Sequence, residues 1–196
     1  MAFVFASATN TGVGTFSTSD GVAFVKAGTS AAAGGNAHAL HCFVATSVAN
    51  AVSQTATFDS VGDQSSGQVI FIFEVISADG TGSSAIVQTA KEDNQAGPAA
   101  PAPTFSSSAN TNNVTVGSVG VEGANPAGVT EPTGWTEQGD AGYNSPVTGA
   151  EYVTRNSGFS GTTITWGSST NIFCSMIVEV KAAAPPAGLS VAWLKA

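Results

Sequence analysis

Four carboxylates and three aromatic rings lie close together in one part of the sequence, and such groups can act on sugars. The acids are Glu131, Glu137, Asp140 and Glu151, and the rings are Trp135, Tyr143 and Tyr152. Glycoside hydrolysis needs two carboxyl groups that face one cleft. These acids lie in Gly-rich sequence in which nothing raises a pKa, and aromatic residues on strands are more often core residues. We therefore favour solvated loop acids and core rings, and we keep glycan contact by the three rings as the alternative.

Metal binding is the second candidate chemistry, because two histidines and a cysteine lie within the stretch HALHC. His38 and His41 are three residues apart, so on a strand they point to opposite faces and do not share one metal. Together with Cys42 they still lack further ligands at a suitable spacing. Three aspartates in predicted loops offer oxygen ligands to Ca²⁺, but without the spacing of an EF-hand: Asp59, Asp63 and Asp79. The sequence predicts no metal and no cofactor.

Nucleophilic catalysis finds little support in the sequence. Serine is common, but the G-x-S-x-G turn that exposes a nucleophilic serine is missing. The chain has two cysteines, Cys42 and Cys174, and each lies inside an apolar run. Such cysteines are typically buried thiols that pack as small hydrophobic residues, and a disulfide between strands is the alternative. We predict that the protein is not an enzyme.

Composition and charge narrow the classes of partner. The 196 residues suffice for one domain, and only 9% of them are charged, whereas an ordinary domain has about 25%. The net charge is −8, and only five residues are Lys or Arg. Binding to nucleic acid needs clustered cations, so we expect no nucleic-acid partner. An anionic membrane surface would repel the chain, and no run reaches the roughly 18 apolar residues of a membrane span.

The sequence predicts that the elements carrying these residues are strands, and it shows almost no helix pattern. Short apolar or alternating runs separated by turn residues predict strands at 2–7, 14–18, 22–26, 38–45, 54–58, 68–76, 84–89, 114–121, 150–154, 162–166 and 172–180. Small residues predict a loop at 27–36, and prolines predict a long crossing loop at 91–104. This pattern predicts an all-β fold, a two-sheet antiparallel sandwich of jelly-roll type.

Three of these strands allow a prediction about their faces. The run 68–76 is apolar on both parities, which predicts a strand covered on both faces. The strand 172–180 alternates strictly, so we expect one face in the core and the other wet or against a neighbour. Within 114–121 the valines change parity around Gly117, and a bulge at that glycine would restore one common face.

Both ends of the chain are apolar and are interpreted as extended arms. We divide the chain into N-terminal strands or arm (1–35), a sandwich domain (36–182) and a C-terminal tail segment (183–196). The residues expected to attach the protein to neighbours are Phe3, Phe5, Leu189, Val191 and Trp193. The tail adds a strand either to its own sheet or to a neighbouring subunit.

A family resemblance rests on four motifs in the second half of the chain. They are P-x-G-W-T at 132–136, G-A-E-Y at 149–152, T-I-T-W at 163–166 and M-I-V-E-V-K at 176–181. In this order they resemble the C-terminal half of a group of jelly-roll structural proteins of tailed-phage virions. The run 68–82, QVIFIFEVISADGTG, is similar to the middle strand and Gly-rich turn of that group. The resemblance spans 36–182, with its core at 104–182, and supplies no catalytic residues.

The resemblance implies a place in a virus particle. We expect a non-enzymatic virion protein, made in the host cytoplasm without a signal peptide, that binds other virion proteins such as the major capsid or tail protein. A capsid decoration (cement) protein that forms a homotrimer fits a short chain without repeats or a coiled-coil stalk. A tail, fibre or baseplate component and a carbohydrate-binding module for host attachment stay open as alternatives.

Overall fold

The computed structural model describes residues 1–7, 14–34, 37–46, 55–59, 67–76, 78–94, 97–168 and 170–183. Within these ranges the chain is built from strands and one 3-10 turn, Gly82–Ala85. The strands are β1 (Ala2–Ser7), β2 (Thr15–Thr18), β3 (Phe24–Lys26), β4 (Ala31–Ala33), β5 (His38–Ala45), β6 (Ala56–Asp59), β7 (Gly67–Ile72), β8 (Ile86–Asp93), β9 (Val114–Glu122), β10 (Thr136–Asn144), β11 (Val147–Arg155) and β12 (Phe173–Val180). The predicted all-β class is confirmed. No helix in these ranges has the length and apolar character to cross a membrane.

The first sheet contains the N-terminal strand near its middle. Its order is β3-β5-β1-β7, and β4 also pairs with β5. Strand β1 is antiparallel to both neighbours, with Phe3 opposite Cys42 on one side and Phe71 on the other. The expectation of an extended N-terminal arm is therefore wrong. The apolar run that suggested an arm is apolar because both faces of β1 are covered, not because it binds a neighbour.

The second sheet packs against the first and completes the sandwich. Its order is β10-β11-β9-β12-β8, again with antiparallel pairs throughout. Side chains from the facing surfaces of both sheets form one core, which includes Phe3, Phe5, Leu40, Val116 and Met176. Gly120 of β9 has no side chain, and the ring of Phe5 occupies the space where its Cβ would lie. The predicted antiparallel β-sandwich is thus present.

Irregular segments cover the outer face of the second sheet. We call 99–113, 127–135 and 159–168 the covering segments; their rings include Phe105, Trp135, Phe159 and Trp166, and these pack on Val119, Val153 and Ile177 of the sheet. As a result β12 is buried on both faces, including Ser175 and Glu179. The prediction of a solvent-exposed face on this strand is wrong, because the polar residues on that face contact the covering segments rather than water.

The valine parity switch in β9 has the same cause. The strand pairs with β11 and β12 without a register shift, so the bulge predicted at Gly117 is wrong. Val116 faces the core between the sheets, while Val119 and Val121 face the covering segments. A regular strand that is buried on both faces has no need of one common apolar side.

The outer face of the first sheet is covered by a small sheet of β2 and β6. Phe16 from β2 and Phe58 from β6 pack on Phe43 of β5, together with alanines and a valine of β1. The described chain therefore has four layers, and every layer buries apolar side chains against the next. This stacking explains how 42% hydrophobic residues are accommodated with so few charges.

Some predicted boundaries differ from the structure. The predicted loop 27–36 contains the short strand β4, which small alanines form on the edge of β5. Strand β7 ends at Ile72 rather than at residue 76, and β8 continues to Asp93, inside the predicted crossing loop. The predicted strand 162–166 makes only a single bridge, between Thr163 and Thr104 of the covering segments.

Candidate functional site

Glu151 is the most unusual of the four predicted acids. It lies on β11, points into the outer face of the second sheet and is only 1% exposed. The indole Nε1–H of Trp166 donates a 3.1 Å hydrogen bond to its Oε1. Asp140 lies directly opposite on β10, and Glu137 is opposite the next residue on the same face, Val153. The structure therefore brings three of the four acids together, but on the β10–β11 hairpin rather than in the predicted loops.

Burial raises the pKa of Glu151 to about 7, and the Trp166 hydrogen bond opposes this rise. The carboxylates of Glu137, Glu131 and Asp140 raise it further, because like charges favour the protonated form. A carboxyl that holds its proton near neutral pH is suited to acid catalysis. However, no substrate can touch a side chain that is 1% exposed. The geometry instead makes Glu151 an anchor that attaches Trp166, and with it a covering segment, to the sheet.

The three predicted glycan-binding rings do not form one platform. Trp135 is buried on the outer face of the second sheet, edge-on to Phe159. Tyr152 points to the other face of that sheet, where its ring stacks on Phe73 with centroids 5.2 Å apart. Tyr143 packs over Gly67 and joins the same core. A sugar could not contact Trp135 and the tyrosines at once.

The two histidines lie on opposite faces of β5, as predicted. His41 is buried between Phe43 and Phe58, and its Nδ1 lies 2.6 Å from Ser30 Oγ. Burial lowers the pKa of His41 to about 4, and the nearby Lys26 ammonium lowers it further. His38 stacks on Phe5, and its Nε2 lies 3.6 Å from Glu122 Oε2. Burial lowers the pKa of His38 as well, although the Glu122 carboxylate opposes this.

The other predicted ligands are dispersed. Asp59 ends β6, Asp79 pairs with Lys181 at 2.5 Å, and Asp63 lies outside the described residues. In the described ranges, no three His, Cys, Asp or Glu residues are placed to hold a metal ion. Cys42 and Cys174 are both free and fully buried, and burial raises the pKa of both thiols. They pack as small hydrophobic residues, as the sequence indicated.

A second buried carboxylate anchors the covering segments, and sequence reasoning missed it. Glu179 on β12 is 1% exposed, and its Oε1 accepts hydrogen bonds from the Asn110 N–H and from Asn113 Nδ2, at 2.8 and 2.6 Å. Its Oε2 accepts a 2.6 Å bond from Gln88 Nε2. Glu92 on β8 similarly accepts the Ala102 N–H. These bonds join strands to segments that are distant in sequence, so no local sequence pattern predicts them.

A groove lies at one end of the sandwich. We define the end groove by Phe73, Val75, Ile76, Val114 and Lys181, which lie where β7, β9 and β12 meet this end. It encloses about 390 Å³ and adjoins a second cavity of about 620 Å³ that is lined by Gln88, Ser107, Asn110, Asn113 and Glu179. Binding pockets for small molecules and side chains commonly have volumes of roughly 300–1,000 Å³.

One wall of the end groove, formed by residues 73–76, has backbone groups without a hydrogen-bond partner among the described residues. Phe73 is fixed by the amino group of Met1, which donates a 2.7 Å bond to its carbonyl. After it, Glu74, Val75 and Ile76 make no backbone hydrogen bond to any other described residue. Ile76 is 79% exposed, the largest exposure among the large hydrophobic side chains of the described ranges. This wall is both apolar and able to pair with an added strand.

The five predicted attachment residues fall into two groups. Phe3 and Phe5 are 0% and 1% exposed, so the prediction that they attach the protein to neighbours is wrong for the folded chain; β1 uses them to join the two sheets. Leu189, Val191 and Trp193 lie outside the described residues. No sequence signal indicates the end groove itself, because the apolar run 68–76 predicts one continuous strand, whereas β7 ends at Ile72.

No protein-family model matches this chain, and no curated protein or solved structure matches it at a significant level. The site residues are therefore assigned from their own geometry.

Proposed function

We propose that this chain is a non-enzymatic structural protein of a tailed-phage virion, a jelly-roll subunit that decorates the capsid as a cement protein. It acts as a homotrimer that buries its apolar surface against copies of itself and against the major capsid protein. The observation that carries the proposal is the end groove, where the backbone of Glu74, Val75 and Ile76 has no hydrogen-bond partner among the described residues and the Ile76 side chain is exposed.

Exposed apolar side chains at the strand edges also favour assembly. Ile72 at the end of the edge strand β7 is 50% exposed, and Val87 on the opposite edge strand β8 is also 50% exposed. Apolar side chains that are exposed in the single chain can be buried against another subunit. A surface with this few charges would be suited to close packing in a particle.

The anchored covering segments fit a passive, rigid subunit. Glu151 and His41, whose pKa values are both shifted by burial, are hydrogen-bonded inside the fold. Glu179 uses both of its oxygens to hold Asn110, Asn113 and Gln88. Buried polar networks that are satisfied in this way make a structure rigid and specific. A decoration protein gains from that rigidity because its copies stabilise a shell by mass action.

Two measurements test the proposal. Light scattering of the purified protein should give a mass that is a multiple of 19.4 kDa, three times that value for the trimer. Mass spectrometry of particles purified from the source should find the chain as an abundant component of the head fraction. A monomer that particles lack would reject the proposal. An abundant chain in isolated tails would replace decoration by a tail or baseplate role, and binding on a glycan array would favour the carbohydrate-binding alternative.

A further inference from the structure

We propose that Ser30 is a nucleophile that takes an acyl group from activated esters, with His41 as its general base and Lys26 beside it. The acyl donor is an activated carboxylic ester, either an aryl ester or a thioester. This covalent modification goes beyond the proposed function and does not depend on it, since none of the three residues lines the end groove.

The three polar side chains come from separate segments that meet at the outer face of the first sheet. Lys26 ends β3, Ser30 immediately precedes β4, and His41 lies on β5, the strand with which β3 and β4 both pair. Ser30 Oγ lies 2.6 Å from His41 Nδ1, and Lys26 Nζ donates a 3.3 Å hydrogen bond to the same oxygen. A hydroxyl within hydrogen-bond reach of a base is the arrangement that an activated nucleophile requires.

The hydrogen-bond pattern favours one arrangement of the protons. A lysine ammonium has donors and no acceptor, so Ser30 Oγ accepts from Lys26 and its own hydrogen is available to His41 Nδ1. Burial lowers the pKa of His41 to about 4, and the ammonium of Lys26, the one charged group that acts on it, lowers it further. The imidazole is therefore neutral near neutral pH, with Nδ1 free to accept the proton of the hydroxyl.

The base is held inside the fold while the hydroxyl is within reach of a reagent. His41 is only 1% exposed, and its ring packs between the rings of Phe43 and Phe58, with centroids 6.2 and 5.4 Å away. Ser30 is half-buried and follows the exposed residues 28–29. A small ester can thus approach Oγ from the loop side, and the packed imidazole already has the orientation that proton transfer needs.

The acyl transfer balances with these three side chains and the ester alone. Ser30 Oγ bonds to the carbonyl carbon while its proton passes to His41 Nδ1. The Lys26 ammonium lies beside Oγ and is placed to donate a hydrogen bond to the oxyanion that forms there. The bond from the carbonyl carbon to the leaving oxygen or sulfur then breaks, and the leaving group takes the proton from Nδ1. The products are an ester on Ser30 and a free phenol or thiol.

Acetylation of the full-length chain tests the site directly. The protein is incubated with p-nitrophenyl acetate, and mass spectrometry locates the acetyl groups before and after treatment with hydroxylamine, which removes serine esters and leaves lysine amides. We expect the Ser30 ester to form at least about 100-fold faster than an ester on Ser108, an exposed hydroxyl of the same chain, because general-base catalysis contributes about this much. Equal rates at the two serines, or an amide on Lys26 in place of the Ser30 ester, would overturn the proposal.

The pH profile of the natural protein separates a base-assisted hydroxyl from an ordinary one. The rate of Ser30 acetylation should stay level from about pH 5.5 to 8, because His41 is already neutral there, and should fall as the pH approaches 4. An unassisted hydroxyl reacts through its alkoxide, so its rate would increase with hydroxide concentration across this whole range. Such an increase at Ser30 would reject His41 as the base, and the measurement needs no substitution that could disturb the fold.

Substitution of the base gives a second readout. His41→Gln, shown to be folded by circular dichroism, should lower the rate of Ser30 acetylation by about 100-fold and leave that of Ser108 unchanged. Thr29→Ala, an exposed neighbour of Ser30, is the matched control and should leave both rates unchanged. A folded H41Q that acetylates Ser30 at the natural rate would contradict the proposal. None of these results bears on whether particles contain the chain, so their failure leaves the proposed function standing.

Discussion

Trp166 and Glu151 are joined by a buried hydrogen bond of 3.1 Å that attaches a covering segment to the second sheet. The carboxyl accepts this bond in either protonation state, but its charge is unfavourable because the site is buried and faces Glu131, Glu137 and Asp140. The fold is therefore most stable when Glu151 is protonated, although the Trp166 bond by itself favours the carboxylate. This couples the stability of the outer layer to pH.

Glu151→Gln should remove a pH dependence of stability. The pKa of Glu151 in the folded protein is about 7, above its ordinary value of 4.5, so the folded state holds the proton more tightly. Its contribution to stability is complete below pH 4.5 and is lost as pH rises to about 7, by roughly 3 kcal/mol. In urea unfolding between pH 4.5 and 7.5, the free energy of unfolding of E151Q should rise relative to that of the natural protein by about this amount.

The exposed Glu74→Gln variant removes the same charge at another site and is the control. A constant difference between E151Q and the natural protein across this range would show that Glu151 titrates normally. Fluorescence of the tryptophans, followed in the same samples, reports whether the covering segment that carries Trp166 loosens first.

His41→Gln should reveal a dependence of opposite sign. Its pKa is lowered to about 4 from 6.5, so the unfolded state takes up the proton first. The stability contributed by the neutral His41 imidazole is fully present above pH 6.5. It is lost as pH falls towards 4, again by roughly 3 kcal/mol. H41Q should therefore lose less stability than the natural protein between these pH values in calorimetry. His38→Gln should change the slope with the same sign, because burial also lowers the pKa of His38.

Glu179→Ala should loosen the covering segments at a second point. The substitution leaves the amide groups of Asn113 and Gln88 and the Asn110 N–H without their buried acceptor. Unsatisfied buried groups of this kind predict a loss of about 2–4 kcal/mol in urea unfolding. Hydrogen exchange of the Asn110 amide should also accelerate. Glu137→Ala, exposed on β10, should stay within about 0.5 kcal/mol, and an equal loss in both variants would contradict the role of Glu179.

The sequence predicted the strands whose burial follows from their own residues. Strands β1, β5 and β12 contain apolar residues in runs or strict alternation, and their bounds agree with the prediction to within one residue. Strand β10 was missed because it is a Gly-containing, mostly exposed edge strand in which only Tyr143 joins the core. A strand that buries little gives no periodic signal.

The covering segments and their anchors could not be predicted in this way. Glu179 lies on an alternating strand and looks like a solvent-facing residue, but its partners Asn110 and Asn113 are 69 and 66 residues away in sequence. Glu151 likewise depends on Trp166, which comes from a segment without regular secondary structure. Such contacts arise from the tertiary fold, and a local pattern cannot distinguish a wet face from one covered by irregular chain.

Gly120→Ala should separate the two sheets locally, because its Cβ would overlap the ring of Phe5. Overpacking of a tight core typically costs about 1–3 kcal/mol, which urea unfolding resolves. Gly139→Ala is the matched control on β10, where the nearest atom to a new Cβ would be 3.8 Å away, an ordinary contact. Phe5→Leu creates space, so the double variant G120A/F5L should lose less than the sum of the two single losses. If the losses add, the close approach of Phe5 to Gly120 does not set the spacing of the sheets.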